Sequence, residues 1–97
     1  MKIYLDDVRY DCSSGWVLVK TAGEAIAWLK TGVVEEISLD HDLGDTLTGL
    51  DVLNWIERKV FEDGFKPPKM YVHSMNPVGR KNMLVAIASI EKRMREG

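Results

Sequence analysis

A chain of 97 residues has room for one domain, spanning 1–97, and buries roughly 60–65 % of the surface its unfolded form exposes, so it depends on one well-filled core. Its 45 % apolar and 29 % charged residues form an ordinary globular balance, which excludes a disordered tail or a collagen-like repeat. The net charge of −2, with no basic stripe, excludes general nucleic-acid binding, and the single cysteine, Cys12, excludes an internal disulfide scaffold.

One unpaired cysteine suits a reducing cytoplasm, which is the expected location. No apolar run approaches the roughly 18–20 residues that span a bilayer, so no membrane role is expected. Charge is unevenly spread. Residues 1–50 carry nine acidic and four basic side chains, whereas residues 51–97 carry six acidic and nine basic. Six of the eight aspartates fall in two windows, Asp6, Asp7 and Asp11 in one and Asp40, Asp42 and Asp45 in the other.

The first strand runs from Lys2 to Asp6 and the second from Trp16 to Lys20. Thr21-Ala22-Gly23-Glu24 is a capping-box pattern, and Ala22, Ala25, Ile26 and Leu29 make the stripe of a first helix that Gly32 stops. The third strand runs from Ile37 to Asp40. A second helix begins near Thr48, with Asp51 in its first turn and Val52, Leu53, Ile56 and Val60 on its buried face; Gly64, before Pro67-Pro68, ends it. The fourth strand runs from Met70 to Ser74. Asn76-Pro77 then supplies an N-cap and a first helical residue whose missing N–H costs nothing. Met83, Leu84, Ile87, Ile90 and Met94 form the stripe of this third helix, and Lys92, Arg93 and Arg95 complement its dipole. Trp16, Trp28 and Trp55 read as packing residues.

Strands alternating with helices predict a parallel sheet covered by helices. Only about nine residues join the first two strands, and a parallel crossover usually takes a dozen or more, so an antiparallel hairpin is the alternative there.

Ligands of open parallel sheets bind outside the carboxyl ends of the strands. The first strand ends in Asp6-Asp7-Val8-Arg9, the third in Asp40-His41-Asp42, and the fourth in His73-Ser74-Met75-Asn76. Three carboxylates, Asp6, Asp7 and Asp40, repel one another unless a cation sits among them, and short oxygen ligands suit Mg²⁺ or Mn²⁺. The bland alternative makes these aspartates strand terminators and loop solubilisers. His41 and His73 are candidates for general base and general acid at one phosphorus, because an imidazole titrates near neutrality. Each can instead bond a loop carbonyl or pack on a tryptophan, and ligation by His41 would point to Mn²⁺ or Zn²⁺.

His73-Ser74-Met75-Asn76-Pro77-Val78-Gly79-Arg80 has the makings of an anion site. A helix start offers free N–H groups, Ser74 and Asn76 add donors, and Arg80 adds a fork-shaped cation. Arg80 opposes the dipole where it stands, which a bound phosphate would explain; pairing with Asp42 or Asp45 would explain it too. Arg9 can grip the same anion.

An acidic pair closing strand one, an aspartate closing strand three and a serine closing strand four resemble the receiver domain of response regulators. The resemblance implies a flavodoxin-like parallel sheet in the order 2-1-3-4, Mg²⁺ on the aspartates, and Asp40 as a phosphoacceptor with Ser74 on the phosphate. The first helix of that family, its fifth strand and the lysine on it have no counterpart here. The motifs Leu5-Asp6-Asp7-Val8-Arg9, Ser38-Leu39-Asp40-His41-Asp42-Leu43-Gly44 and Val72-His73-Ser74-Met75-Asn76-Pro77-Val78-Gly79-Arg80 are more similar to a compact branch, the cyclic-phosphate-processing receiver-like domains.

That resemblance implies a compact α/β domain of four parallel strands and three helices. It also implies a metal-assisted phosphoesterase acting on a cyclic phosphate, of a nucleotide or a modified ribose, carried on a small ligand or on the end of a larger molecule. In that reading Asp6, Asp7 and Asp40 hold Mg²⁺ or Mn²⁺, Asp40, His41 and His73 are catalytic, and Arg9, Ser74, Asn76 and Arg80 hold the phosphate. The alternative is a phosphoacceptor or phosphate-binding signalling module without hydrolysis. Oligomeric state is open at this level.

Overall fold

The computed structural model describes residues 1–7, 15–44 and 46–96. Arg9, Asp11, Cys12 and Asp45, with the connection between the first two strands, lie outside the described residues. The element order is β1 (Lys2–Leu5), β2 (Trp16–Val19), α1 (Ala22–Leu29), β3 (Glu36–Leu39), α2 (Gly49–Asp63), β4 (Lys69–Val72) and α3 (Pro77–Glu96).

The four strands form one sheet in the order β2-β1-β3-β4, and every pairing is parallel. The hairpin alternative for β1 and β2 is therefore excluded: Lys2 stands opposite Trp16 and Leu5 opposite Val19, in parallel register.

Side chains alternate across a strand, and here the alternation divides the sheet sharply. Ile3, Leu5, Val19, Ile37 and Leu39 point into one apolar cluster. All three helices supply that same cluster, through Ala22, Ala25 and Leu29 of α1, Val52, Leu53 and Ile56 of α2, and Met83, Ile87 and Ile90 of α3. The helices thus share one face of the sheet. Lys2, Tyr4, Glu36 and Ser38 point to the other face, with Trp16 and Tyr71 beside them. Among the described residues no helix covers it.

The caps hold with adjustments. Thr21 accepts from the Glu24 N–H at 3.1 Å, but the Glu24 carboxylate reaches the Lys20 N–H at 3.2 Å, one residue beyond the expected box. In α2 the box is complete, with Thr48 accepting from the Asp51 N–H and Asp51 accepting from the Thr48 N–H at 2.7 Å. Gly64 stops α2 in the left-handed region. Asn76 Oδ1 accepts from the N–H groups of Val78 and Gly79, both at 3.1 Å, and starts α3.

Three core expectations need correction. Leu84 and Met94 are exposed, and the buried residues of α3 are Gly79, Met83, Ile87 and Ile90. Trp28 is exposed on α1. Trp55 packs against the core and edge-on to Phe65, whereas Trp16 stands on the helix-free face between Tyr4 and Tyr71.

Candidate active site at the carboxyl rim

Register builds the site. Leu5, Leu39 and Val72 are partners across β1, β3 and β4, so the next residues, Asp6, Asp40 and His73, share one row. The ladder continues through that row: Asp40 N–H donates to Leu5 carbonyl and His73 N–H to Leu39 carbonyl, both at 3.0 Å. Asp6 N–H donates to Val19 carbonyl at 3.0 Å. An alternation of two then turns all three side chains to the helix-free face, the face of Tyr4 and Ser38.

The His73 ring leans across β3 toward β1. Its Nδ1 lies 2.7 Å from Ser38 Oγ and its Nε2 lies 3.3 Å from Asp6 Oδ2. Tyr4 stacks on it, with ring centroids 4.1 Å apart and planes at 14°. Asp6 is buried, and Asp40 and His73 are half-buried. One ligand atom from each of Asp6, Asp40 and His73 falls within 4.8 Å of the others. Two carboxylates and an imidazole at this spacing are a donor set that fits a divalent cation. The imidazole suits Mn²⁺ or Zn²⁺ better than Mg²⁺, which favours oxygen alone.

Asp40 is fixed from two sides. Its Oδ1 accepts from the His41 N–H at 2.8 Å, and its carbonyl rests on Gly49 at the start of α2, where any Cβ would collide with it. His41 in turn accepts the Gly49 N–H on its own carbonyl at 3.1 Å. The helix and the strand end are therefore locked together through backbone contacts that only glycine permits at that position.

The other expected residues take different places. Asp7 lies outside the metal-spaced group, and its Oδ2 stands 2.8 Å from the point where a Cβ on Gly44 would be. The His41 ring points Nδ1 at Asp42 Oδ1, 2.8 Å away, and packs on the backbone of Gly79, where an added Cβ would meet ring Cγ at 2.5 Å. Asp42 also accepts from Asn76 Nδ2 at 3.3 Å. Hydrogen bonding from the His41 ring first, and from Asn76 second, holds the Asp42 carboxyl below the usual aspartate range. Ser74 is buried and accepts the Asn76 N–H at 3.1 Å. Asn76 spends its Oδ1 on two of the N–H groups that a helix start would otherwise offer an anion. Arg80 is exposed and lines a shallow groove on the outer side of α3 with Pro77, Lys81 and Leu84. Arg9 is outside the described residues.

Tyr4 and Ser38 are the residues that reading the sequence missed. Their signal was the alternation itself, since Tyr4 and Asp6, like Ser38 and Asp40, are two apart on one strand.

No helix is long and apolar enough to cross a membrane among the described residues. No curated protein and no solved structure matches the chain. The sequence model of the cyclic-phosphate processing receiver domain matches residues 1–89, nearly the whole chain. A parallel sheet in the order 2-1-3-4 with three helices agrees with that match. The chain belongs to the family of cyclic-phosphate processing receiver domains.

Proposed function

We propose that this domain hydrolyses a cyclic phosphodiester of a ribose at the Asp6–Asp40–His73 row, with a divalent cation. The observation that carries the reading is the convergence of these three side chains, with ligand atoms within 4.8 Å, at the end of a sheet where ligands of such folds bind. Asp6 and Asp40 are the residues that would hold the cation. A divalent cation there supplies neutralisation of the phosphate charge and a more acidic water.

His73 is the proton carrier in this reading. Its Nε2 gives a proton to the leaving ribose oxygen as that P–O bond breaks, water forms the new P–O bond, and a proton from the water restores the ring. Ser38 is suited to both states, because a hydroxyl donates to a bare Nδ1 and accepts from an Nδ1–H. Tyr4 keeps the ring plane fixed by stacking. The product is a phosphomonoester with a free neighbouring hydroxyl.

Turnover of a panel of 2′,3′-cyclic and related cyclic phosphates, with Mg²⁺ or Mn²⁺, tests the proposal. Positioned acid–base catalysis contributes about 10²–10⁴-fold, so His73→Ala should lose that much. Equal turnover by wild type and His73→Ala across the panel would remove His73 from the chemistry.

A further inference from the structure

The helix-free face of the sheet holds a recess of about 270 Å³ lined by Tyr4, Trp16, Glu36, Ser38 and Tyr71. We propose that this recess is the subsite for the nucleobase of a nucleoside cyclic phosphate whose phosphate lies at Asp6, Asp40 and His73. This inference rests on the reading of the rim as a phosphate site and names the class of substrate that site takes.

Three observations support it. The first is continuity. Tyr4 and Ser38 line the recess and also touch His73, one by stacking at 4.1 Å and the other by a 2.7 Å hydrogen bond. The row Tyr4–Ser38–Tyr71 is in register and sits two residues before the row Asp6–Asp40–His73, a step of about 7 Å along the strands. A ribose ring has to bridge a gap of that order between its phosphate and its base.

The second is ring chemistry. Tyr4 and Trp16 meet edge to face at 6.4 Å and 88°, and Trp16 and Tyr71 meet at 6.4 Å and 71°. Trp16 belongs to β2 and Tyr71 to β4, so the indole reaches across two strands to close the recess on that side. Aromatic walls set at steep angles accept a flat ring by stacking on one wall and edge contact with another.

The third is a polar handle. Glu36 lies at the recess with Oε1 accepting from the Tyr71 hydroxyl at 3.0 Å and Oε2 facing Lys2 Nζ at 3.3 Å. The Tyr71 hydrogen bond, with help from Lys2, holds its carboxyl below the usual range. An ionised carboxylate accepts hydrogen bonds only, which matches the exocyclic amine of adenine, guanine or cytosine.

The test compares kcat/KM for a nucleoside 2′,3′-cyclic phosphate with that for the same ribose cyclic phosphate bearing methyl in place of the base. Stacking on an aromatic side chain is worth enough to change affinity about tenfold or more. Wild type should prefer the nucleoside by at least that factor. Tyr71→Ala should cut the preference about tenfold, and Tyr71→Phe, which keeps the ring, should retain most of it. Tyr71 is exposed on an edge strand, so both variants should fold. Equal use of both substrates by wild type, or a preference untouched in Tyr71→Ala, would overturn the subsite and leave hydrolysis standing. If neither substrate is turned over, titration with adenosine read on the Trp16 indole resonance decides: a saturating shift lost in Tyr71→Ala supports the subsite without the hydrolysis, and no shift overturns it.

Discussion

Ser38 Oγ stands 2.7 Å from His73 Nδ1, while Asp6 Oδ2 stands 3.3 Å from Nε2 of the same ring. Ser38 of β3 and Asp6, just past β1, thus hold the two nitrogens of a histidine just past β4. The ring plane, its direction and the atom it turns toward the acids are all set by residues of the sheet.

Ser38→Ala follows from that contact. The variant should fold, with stability lower by about 0.5–1.5 kcal/mol for one lost hydrogen bond. Loss of a group that orients an active-site histidine typically costs about 10–100-fold in activity. The loss should fall on kcat with KM little changed, since Ser38 acts through the ring. Steady-state kinetics beside a denaturant titration reads both effects.

Gly79 and Gly23 make a matched pair. Both are helical glycines, and alanine in a helix is better than glycine by about 0.8–1 kcal/mol. At Gly23 a Cβ meets nothing within 4 Å, so Gly23→Ala should stabilise by about that amount. At Gly79 the Cβ would lie 2.5 Å from His41 Cγ. Overpacking of this kind costs about 1–3 kcal/mol, which exceeds the helical gain over most of its range. Gly79→Ala should therefore destabilise, and the His41 ring resonances should shift. Denaturant midpoints of the two variants should move in opposite directions.

Asp42 predicts a pH effect at the acid end. Its folded carboxyl is depressed, first by the His41 ring and then by Asn76. A depressed acid contributes stability that is present above its unfolded pKa, about 3.9, and is lost as pH falls through the folded value. Asn76→Ala should move the Asp42 titration upward in a carboxyl-detected NMR experiment. The same variant loses the cap of α3, at a cost of about 1 kcal/mol at neutral pH.

The donor set predicts a metal response. A ligand that binds only the folded chain at 100 times its Kd stabilises by about 2.7 kcal/mol, or roughly 10–20 °C in Tm for a domain of this size. Mn²⁺ or Mg²⁺ should raise the Tm of the wild type, because a cation held by Asp6 and Asp40 binds only where the fold brings the two carboxylates together. Asp40→Asn should lose most of the response in a thermal melt.

Much of this architecture was legible in the sequence. Caps at Thr21, Thr48 and Asn76, the stop at Gly64 and the apolar stripes of the helices fixed every helix to within a few residues. The parallel β1–β2 pairing was not legible from loop length. It depends on long-range register, which local propensity does not encode. The site was half legible. Asp6, Asp40 and His73 were expected at one rim, but reading residues by their distance from a strand end placed Asp7 and His41 with them. Alternation separates these: residues adjacent in sequence leave a strand in opposite directions, so Asp7 cannot share the face of Asp6 while the strand geometry lasts. His41 left the row for the same reason and found Asp42 and Gly79. Leu84 and Met94 fit a helical stripe on paper, and both are exposed in the fold.

Opening of a cyclic phosphate at Asp6, Asp40 and His73, as proposed, has a direct spectroscopic readout. Phosphorus NMR of nucleoside 2′,3′-cyclic phosphates incubated with Mn²⁺ and either wild type or Asp40→Asn tests it most directly. The cyclic resonance should give way to that of a phosphomonoester with wild type and persist with Asp40→Asn. A cyclic resonance that persists with wild type, or that disappears equally fast with Asp40→Asn, would contradict the proposal.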